Sequence, residues 1–479
     1  MLDLGDYWLV RFCFRRALGL VYLVAFLVAV NQYPALHGED GILPAADFLD
    51  RVAVRDAPGL FQLDASDRAL KVCAWAGVGL STLAVTGLAD AFGTPFSMVV
   101  WGALWLLYLS FVNAGRTFYG FGWESLLLET GFLAVFLGGM HTAPPDIVVW
   151  LLRWVLFRVM FGAGLIKLRG DPCWRDFTCM FYHYETQPMP NPLSWSFDKL
   201  PKPLHRASIG VHHVIELVVP FFYFAPRPFA WVAALAGLLT IVYQAWLMVS
   251  GNFAWLNALT IVLALSTFDD ALFEGLGGFT TPATVPVGTP HQVVIYGLLL
   301  LVVVLSYWPV RNLISSSQSM NRSFDPLHLV NTYGAFGSIT RERYELVIEG
   351  TRDEGEDPEW RTYEFKGKPT DPGKRPPQWA PYHLRLDWQL WFAAMSARPR
   401  REWFPRFVEK LLDGNDQVES LLAHDPFPDE PPSRIRVRRY RYEFTSRAEK
   451  RETGDWWRRE FVNEYYDTAS RGTRRSRVF

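Results

Sequence analysis

Nine apolar runs occupy the first two thirds of this chain, at roughly 14–32, 71–90, 96–112, 123–139, 147–167, 207–224, 228–250, 253–268 and 291–309. Most are as long as an α-helix needs to be to cross the about 30 Å hydrocarbon core of a bilayer. In lipid every backbone polar group must find an internal partner, so such a chain folds as a helical bundle. The runs at 123–139 and 253–268 are short. Either is re-entrant, or the second forms a broken pair with its predecessor across Ser250-Gly251-Asn252, which gives seven to nine spans.

Net charge is −1, yet 56 of the 95 Lys, Arg, Asp and Glu residues follow Met320. That asymmetry divides the chain into a membrane domain, 1–312, a Ser- and Asn-rich linker, 313–324, and an extramembrane module, 325–479. Within the module, Arg343–Glu349, Thr362–Lys366 and the run RIRVRRYRYEFT at 434–445 alternate and are rich in strand formers. Residues 387–397 and 403–423 read as helices between them, so the module is predicted to be β-rich and sandwich-like, with helical insertions. Its Trp388, Trp391, Trp403, Trp456 and Trp457 belong to its core or to a binding face, core being the simpler reading.

The first apolar run is too long for a cleaved signal and reads as an anchor. Arg11, Arg15 and Arg16 before it favour a cytoplasmic N-terminus, and nine spans would then put the 168–206 loop and the module on the exoplasmic side. The Lys and Arg of the remaining loops favour the opposite orientation.

Residues 170–195, GDPCWRDFTCMFYHYETQPMPNPLSW, are too dense in aromatic, acidic and proline residues for a plain tether. Cys173 and Cys179 have five residues between them, which fits neither a CxxC redox pair nor a four-ligand zinc site. A structural disulfide and free thiols both remain open, and a bridge would need an oxidising compartment. Cys13 and Cys73 read as small buried hydrophobes.

Charges inside the bundle need partners. If the helices around Ala143 form a hairpin, Glu129 and Arg158 lie at one depth and are expected to form a structural ion pair. Glu124 and Lys167 would pair more loosely at the other end of that hairpin. His212 and Glu216 share a helical face, giving a proton relay, two metal ligands or, more simply, a polar seam between helices. Asn113, Gln244, Asn252 and Asn257 would extend that seam, while Gly162 and Gly164 allow close helix approach.

The sequence has no GxxxxGK[ST], GxGxxG, GxSxG or HExxH motif, and no basic, aromatic-interleaved patch. No cofactor, metal or nucleic acid is expected. The tail from Arg471 to Arg477 reads as a solvated or lipid-facing end.

The segments FGWESLLLETGFLAVF (121–136), RWVLFRVMFGAGLIKLRGDPCW through PNPLSW (153–195), HHVIELVVPF, SGNFAWLNALTIVLAL, LVNTYGAFGSITRERYE and RLDWQLWF closely resemble the lipase maturation factor family. The resemblance runs from about Gln32 to the last strand. It implies a multispanning protein of the animal endoplasmic reticulum that assists folding and assembly of secreted dimeric lipases. It also places Cys173, Glu185, Asn191 and Trp195 in the family's characteristic segment and assigns none of them a proven chemical role. The Arg-heavy, Lys-poor composition suits a GC-rich prokaryotic genome, for which the cytoplasmic membrane and other exported clients are the matching expectation. The only N-glycosylation sequon is Asn321-Arg322-Ser323. On this reading the partners are a secreted lipase or other exported protein and the lipid bilayer, and the protein is more simply a non-enzymatic factor.

The client-binding anchors are expected to be exposed aromatics of the loop, Trp174, Tyr182 and Trp195. A shorter motif, GAGLIKL at Gly162–Leu168 followed by Trp174, is similar to the lysine-bearing helix end of vitamin K-dependent carboxylases. That likeness implies an alternative, a membrane enzyme with Lys167 as base beside His183 and Glu185. Snorkelling of Lys167 to the interface is the plainer reading. A lipid-accessible polar cavity around these three would favour the enzyme, and a packed Lys167 the folding factor.

Overall fold

The computed structural model describes residues 6–226, 228–277, 281–399 and 402–470. The arginine tail lies outside the described residues. The bundle runs α1 (Trp8–His37), α2 (Asp67–Thr86), α3 (Thr94–Ala114), a short α4 (Gly122–Ala134), α5 (Asp146–Arg169), α6 (Lys202–Leu217, continuing in 3-10 turns to Phe224), α7 (Ala230–Ser250), a short α8 (Leu256–Ala264) and α9 (Thr289–Leu305). Among the described residues seven of these, all but α4 and α8, are long and apolar enough to cross a membrane. Largely exposed apolar residues, such as Trp231, Val242, Val293 and Leu300, lie on their outer faces, where lipid can cover them.

Contacts across the chain sort the loops onto two ends of the bundle. At one end Asp270 accepts from the Trp8 and Leu9 amides, Arg11 donates to the Thr142 carbonyl, and Val285 donates to the His141 carbonyl. At the other end lie the 168–206 loop, the start of α4, the turn after α7 and the whole C-terminal module. The N-terminus and the module are therefore on opposite ends. Arg15, one of the arginines pointing to a cytoplasmic N-terminus, is fully buried and pairs with Asp90 at 2.6 Å. Arg11 is spent on backbone carbonyls of the 137–142 turn, Leu137 and Met140 as well as Thr142. These side chains close the bundle's end as much as they mark a membrane side.

A two-stranded ribbon joins linker to module, β1 (Arg322–Ser323) in the linker pairing with β2 (Asn331–Thr332) in the module. Its main sheet is antiparallel, in the order β4 (Arg361–Thr362), β3 (Arg343–Thr351), β5 (Arg434–Phe444), β6 (Trp457–Ser470). Alternation along β5 buries Ile435 and Val437 on one face and Tyr442 and Phe444 on the other. Helices α10 (Arg385–Ala394) and α11 (Trp403–Leu412) pack on the first face. Trp388, Trp403 and Trp457 are buried, while Trp391 and Trp456 are half-buried. One apolar core runs without a break from the α1–α3 helices into the module.

Candidate functional site

The 168–206 loop is folded tightly between the bundle and the module. Cys173 and Cys179 are joined, with Cα atoms 4.8 Å apart, and both are buried. They form a small core with Trp174, Met180, Tyr184, Ile209 and Ile339. Arg343 on β3 is buried and donates to the carbonyls of Glu185, Gln187 and Pro188. It also pairs with Glu345, which in turn meets Lys368 at 2.9 Å. Asn191 bonds Val249 at the end of α7 and Gln378 of the module, so a single asparagine ties loop, bundle and module.

This packing corrects the expected exposure of the loop's aromatics. Trp174 is 1% exposed and donates to the Phe336 carbonyl at 2.8 Å. A ring held that way anchors the loop and presents no binding surface. Trp195 is half-buried, donates to the Thr445 carbonyl and packs edge-on to Trp456. Tyr182 is half-buried beneath the Arg341 guanidinium, 4.9 Å from its ring centre.

The buried charges pair across long stretches of sequence. Arg158 bonds both carboxylate oxygens of Glu129, and Asn331 and Tyr333 of the module complete that carboxylate's shell. Glu124 and Lys167 do not meet. Glu124 takes Arg385 at 2.8 Å and the Tyr108 hydroxyl, and Lys167 pairs with Glu216. The reason is reach: the module's Arg385 enters the bundle where a loose helix-end pair would otherwise sit. Tyr243 donates to Glu216 at 2.7 Å and contacts His212 Nδ1 at 2.8 Å, so the shared face of α6 is a polar seam closed by α7. Asn257 donates to Gln244 between helices, whereas Asn113 and Asn252 reach into the module. Gly164 gives α6 close approach, but Gly162 makes room for the Tyr333 carbonyl instead. Among the described residues no group of three His, Cys, Asp or Glu side chains is gathered as a metal site would need.

Lys167 is packed, its Nζ paired with Glu216 and lying 5.2 Å from the Trp174 ring centre. His183 is buried against Phe253 and Phe336, and burial, with the Lys167 charge adding, pushes it down to about 4. Glu185 accepts from the Phe444 amide at 2.7 Å, and burial pushes it up to about 7.

A raised carboxylate favours the folded state while neutral. That stabilisation is full below about pH 4.5 and is lost as pH rises through about 7. Glu185→Gln keeps the acceptor for Phe444 and removes the titration. The stability difference between variant and wild type is expected to grow in the variant's favour by roughly 3 kcal/mol from pH 4.5 to 8. Thermal midpoints of the detergent-purified proteins across that range test it, and parallel pH curves would rule it out.

Where loop and module meet, a groove of about 390 Å³ opens, lined by Thr340, Arg341, Glu342, Tyr344, Trp391 and Met395. Arg341 holds its rim by pairing with Asp171 of the loop at 2.8 Å, and Trp391 donates to the Thr186 carbonyl. Met395 is 42% exposed, so the groove carries a flexible apolar contact beside a guanidinium and a carboxylate. No sequence signal marked it, because its residues come from the entry to β3 and the end of α10, some 50 positions apart.

Fold and site together define a polytopic helical membrane protein that carries a β-rich module docked on one end of its bundle. Residues 9–275 match the lipase maturation factor transmembrane domain, and residues 329–467 the lipase maturation factor C-terminal domain. Lipase maturation factor 1 of Mus musculus is 42% identical over 97% of this chain and 88% of its own length. The Homo sapiens protein of that name is 41% identical over 98% and 89%. Lipase maturation factor 2 of Xenopus laevis is 29% identical over 97% and 82%. No solved structure matches the chain. The chain belongs to the lipase maturation factor family.

Proposed function

We propose that this protein is a membrane-bound maturation factor that assists the folding and assembly of secreted lipases or other exported proteins. It works on the side of the membrane that carries the module: the endoplasmic reticulum lumen in a eukaryote, the outer side of the cytoplasmic membrane in a prokaryote. The groove between loop and module carries the reading. It is partly apolar, has charge of both signs, and lies on a rigid platform, a surface suited to apolar segments of unfinished chains. The packing of Lys167 against Glu216 and Trp174 supports a scaffold over a lysine-based enzyme.

Met395→Asp, a change at an exposed position, is expected to lower the yield of active secreted dimeric lipase about fivefold to tenfold in cells lacking their own maturation factor, at equal amounts of membrane-inserted protein. Phe461→Asp, exposed on the other face of the sheet, is the control. Equal yields from Met395→Asp and wild type would remove the groove from client handling.

A further inference from the structure

A second cavity, of about 450 Å³, lies between α1 and the module, and no part of the client reading uses it. Its wall from the bundle is Asn31 and Gln32, the polar pair that ends the apolar run of α1. A 30-residue helix is about 45 Å long, against about 30 Å of hydrocarbon. Asn31 and Gln32, six and five residues before its end and so about 8–9 Å from it, therefore sit at the boundary between hydrocarbon and headgroups. Trp379 and Tyr382, ring centres 5.9 Å apart, supply the aromatic character common at that depth.

The module contributes one charge of each sign. Lys366 donates to the Ser420 carbonyl at 2.6 Å, which leaves its other N–H groups free to turn to the cavity. Asp387 is buried and spends Oδ1 on the Gly367 and Lys368 amides, at 2.6 and 3.2 Å. Among the described residues no hydrogen bond reaches its Oδ2. The volume is within the range of small-ligand sites, about 300–1,000 Å³.

We propose that this cavity binds the phosphoethanolamine headgroup of a membrane phospholipid. Lys366, Asn31 and the Tyr382 hydroxyl face the phosphate, and Asp387 Oδ2 accepts from the primary ammonium beside the Trp379 ring. A carboxylate with an open acceptor calls for an N–H donor, which ethanolamine has and choline lacks. Burial raises Asp387 above the usual carboxylate range, and a bound ammonium would relieve that. A free phosphoethanolamine compound has the same chemistry; the depth of Asn31 and Gln32 assigns the lipid.

The test is native mass spectrometry of the full chain in detergent, with phosphatidylethanolamine or phosphatidylglycerol of matched acyl chains added in turn. One retained phosphatidylethanolamine per protein is expected, with phosphatidylglycerol retained at least about tenfold less. Lys366→Gln, at a half-buried position, is expected to cut retention by about tenfold. Asp387→Asn should abolish the preference for ethanolamine, and if that variant does not fold, Lys366→Gln decides alone. Equal retention of both lipids, or retention unchanged in Lys366→Gln, overturns the site. Thermal protection by soluble glycerophosphoethanolamine as strong as that by the whole lipid overturns the lipid assignment.

Discussion

Arg385→Met is expected to destabilise the protein by about 3–5 kcal/mol and to loosen the module from the bundle. Arg385 is fully buried; it donates to Glu124 and the Phe118 carbonyl and lies 3.4 Å from the Tyr119 ring centre. Its own amide donates to Gln32, whose side chain donates to the His383 carbonyl. Methionine fills much of the volume, so the main loss is electrostatic. Glu124 stays buried, left with the Tyr108 hydroxyl and the His383 ring 3.9 Å away in place of a guanidinium. The double variant Arg385→Met/Glu124→Gln removes the stranded charge and is expected to recover more than half of the loss. Thermal midpoints and protease cleavage between residues 315 and 342 report both effects. A double variant as unstable as the single one would mean that Arg385 acts through packing alone.

Trp174→Ala is expected to cost about 3–5 kcal/mol. The indole fills the core around the Cys173–Cys179 bridge, covers Lys167 and satisfies the Phe336 carbonyl. Removal leaves a cavity and an unpaired acceptor together, and the 336–339 segment that pairs with Asp171 loses its stop. Trp195→Ala, at a half-buried position, is expected to cost only about 1 kcal/mol through its contact with Trp456. Equal costs for the two would contradict the assignment of Trp174 to the core. Any fall in lipase yield from Trp174→Ala should follow the amount of folded protein, unlike that from Met395→Asp.

Some of this is legible along the chain because its cause is local. A run of apolar side chains buries a helix wherever it lands, and the alternation of 434–445 states which residues of β5 face inward. The change in charge density after Met320 separates membrane from water by the same rule. The site is legible only in part. Equal distance from a turn places Glu129 and Arg158 at one depth, but nothing local brings Asn331 and Tyr333 to the same carboxylate. The loop's aromatics read as surface because polar neighbours surround them in sequence; in space Trp174 has apolar neighbours from α6 and residue 339.

The helical membrane bundle, the β-rich module and, through long shared motifs, the family are written in the order of residues along the chain. Tertiary structure decided which charges pair, which aromatics are covered, and where the groove and the headgroup cavity open. Secondary structure and membrane partition follow from the periodicity and transfer energy of neighbouring residues. The partner of a buried charge is chosen by whatever side chain reaches it in three dimensions. For Glu124 that is Arg385, 261 positions away.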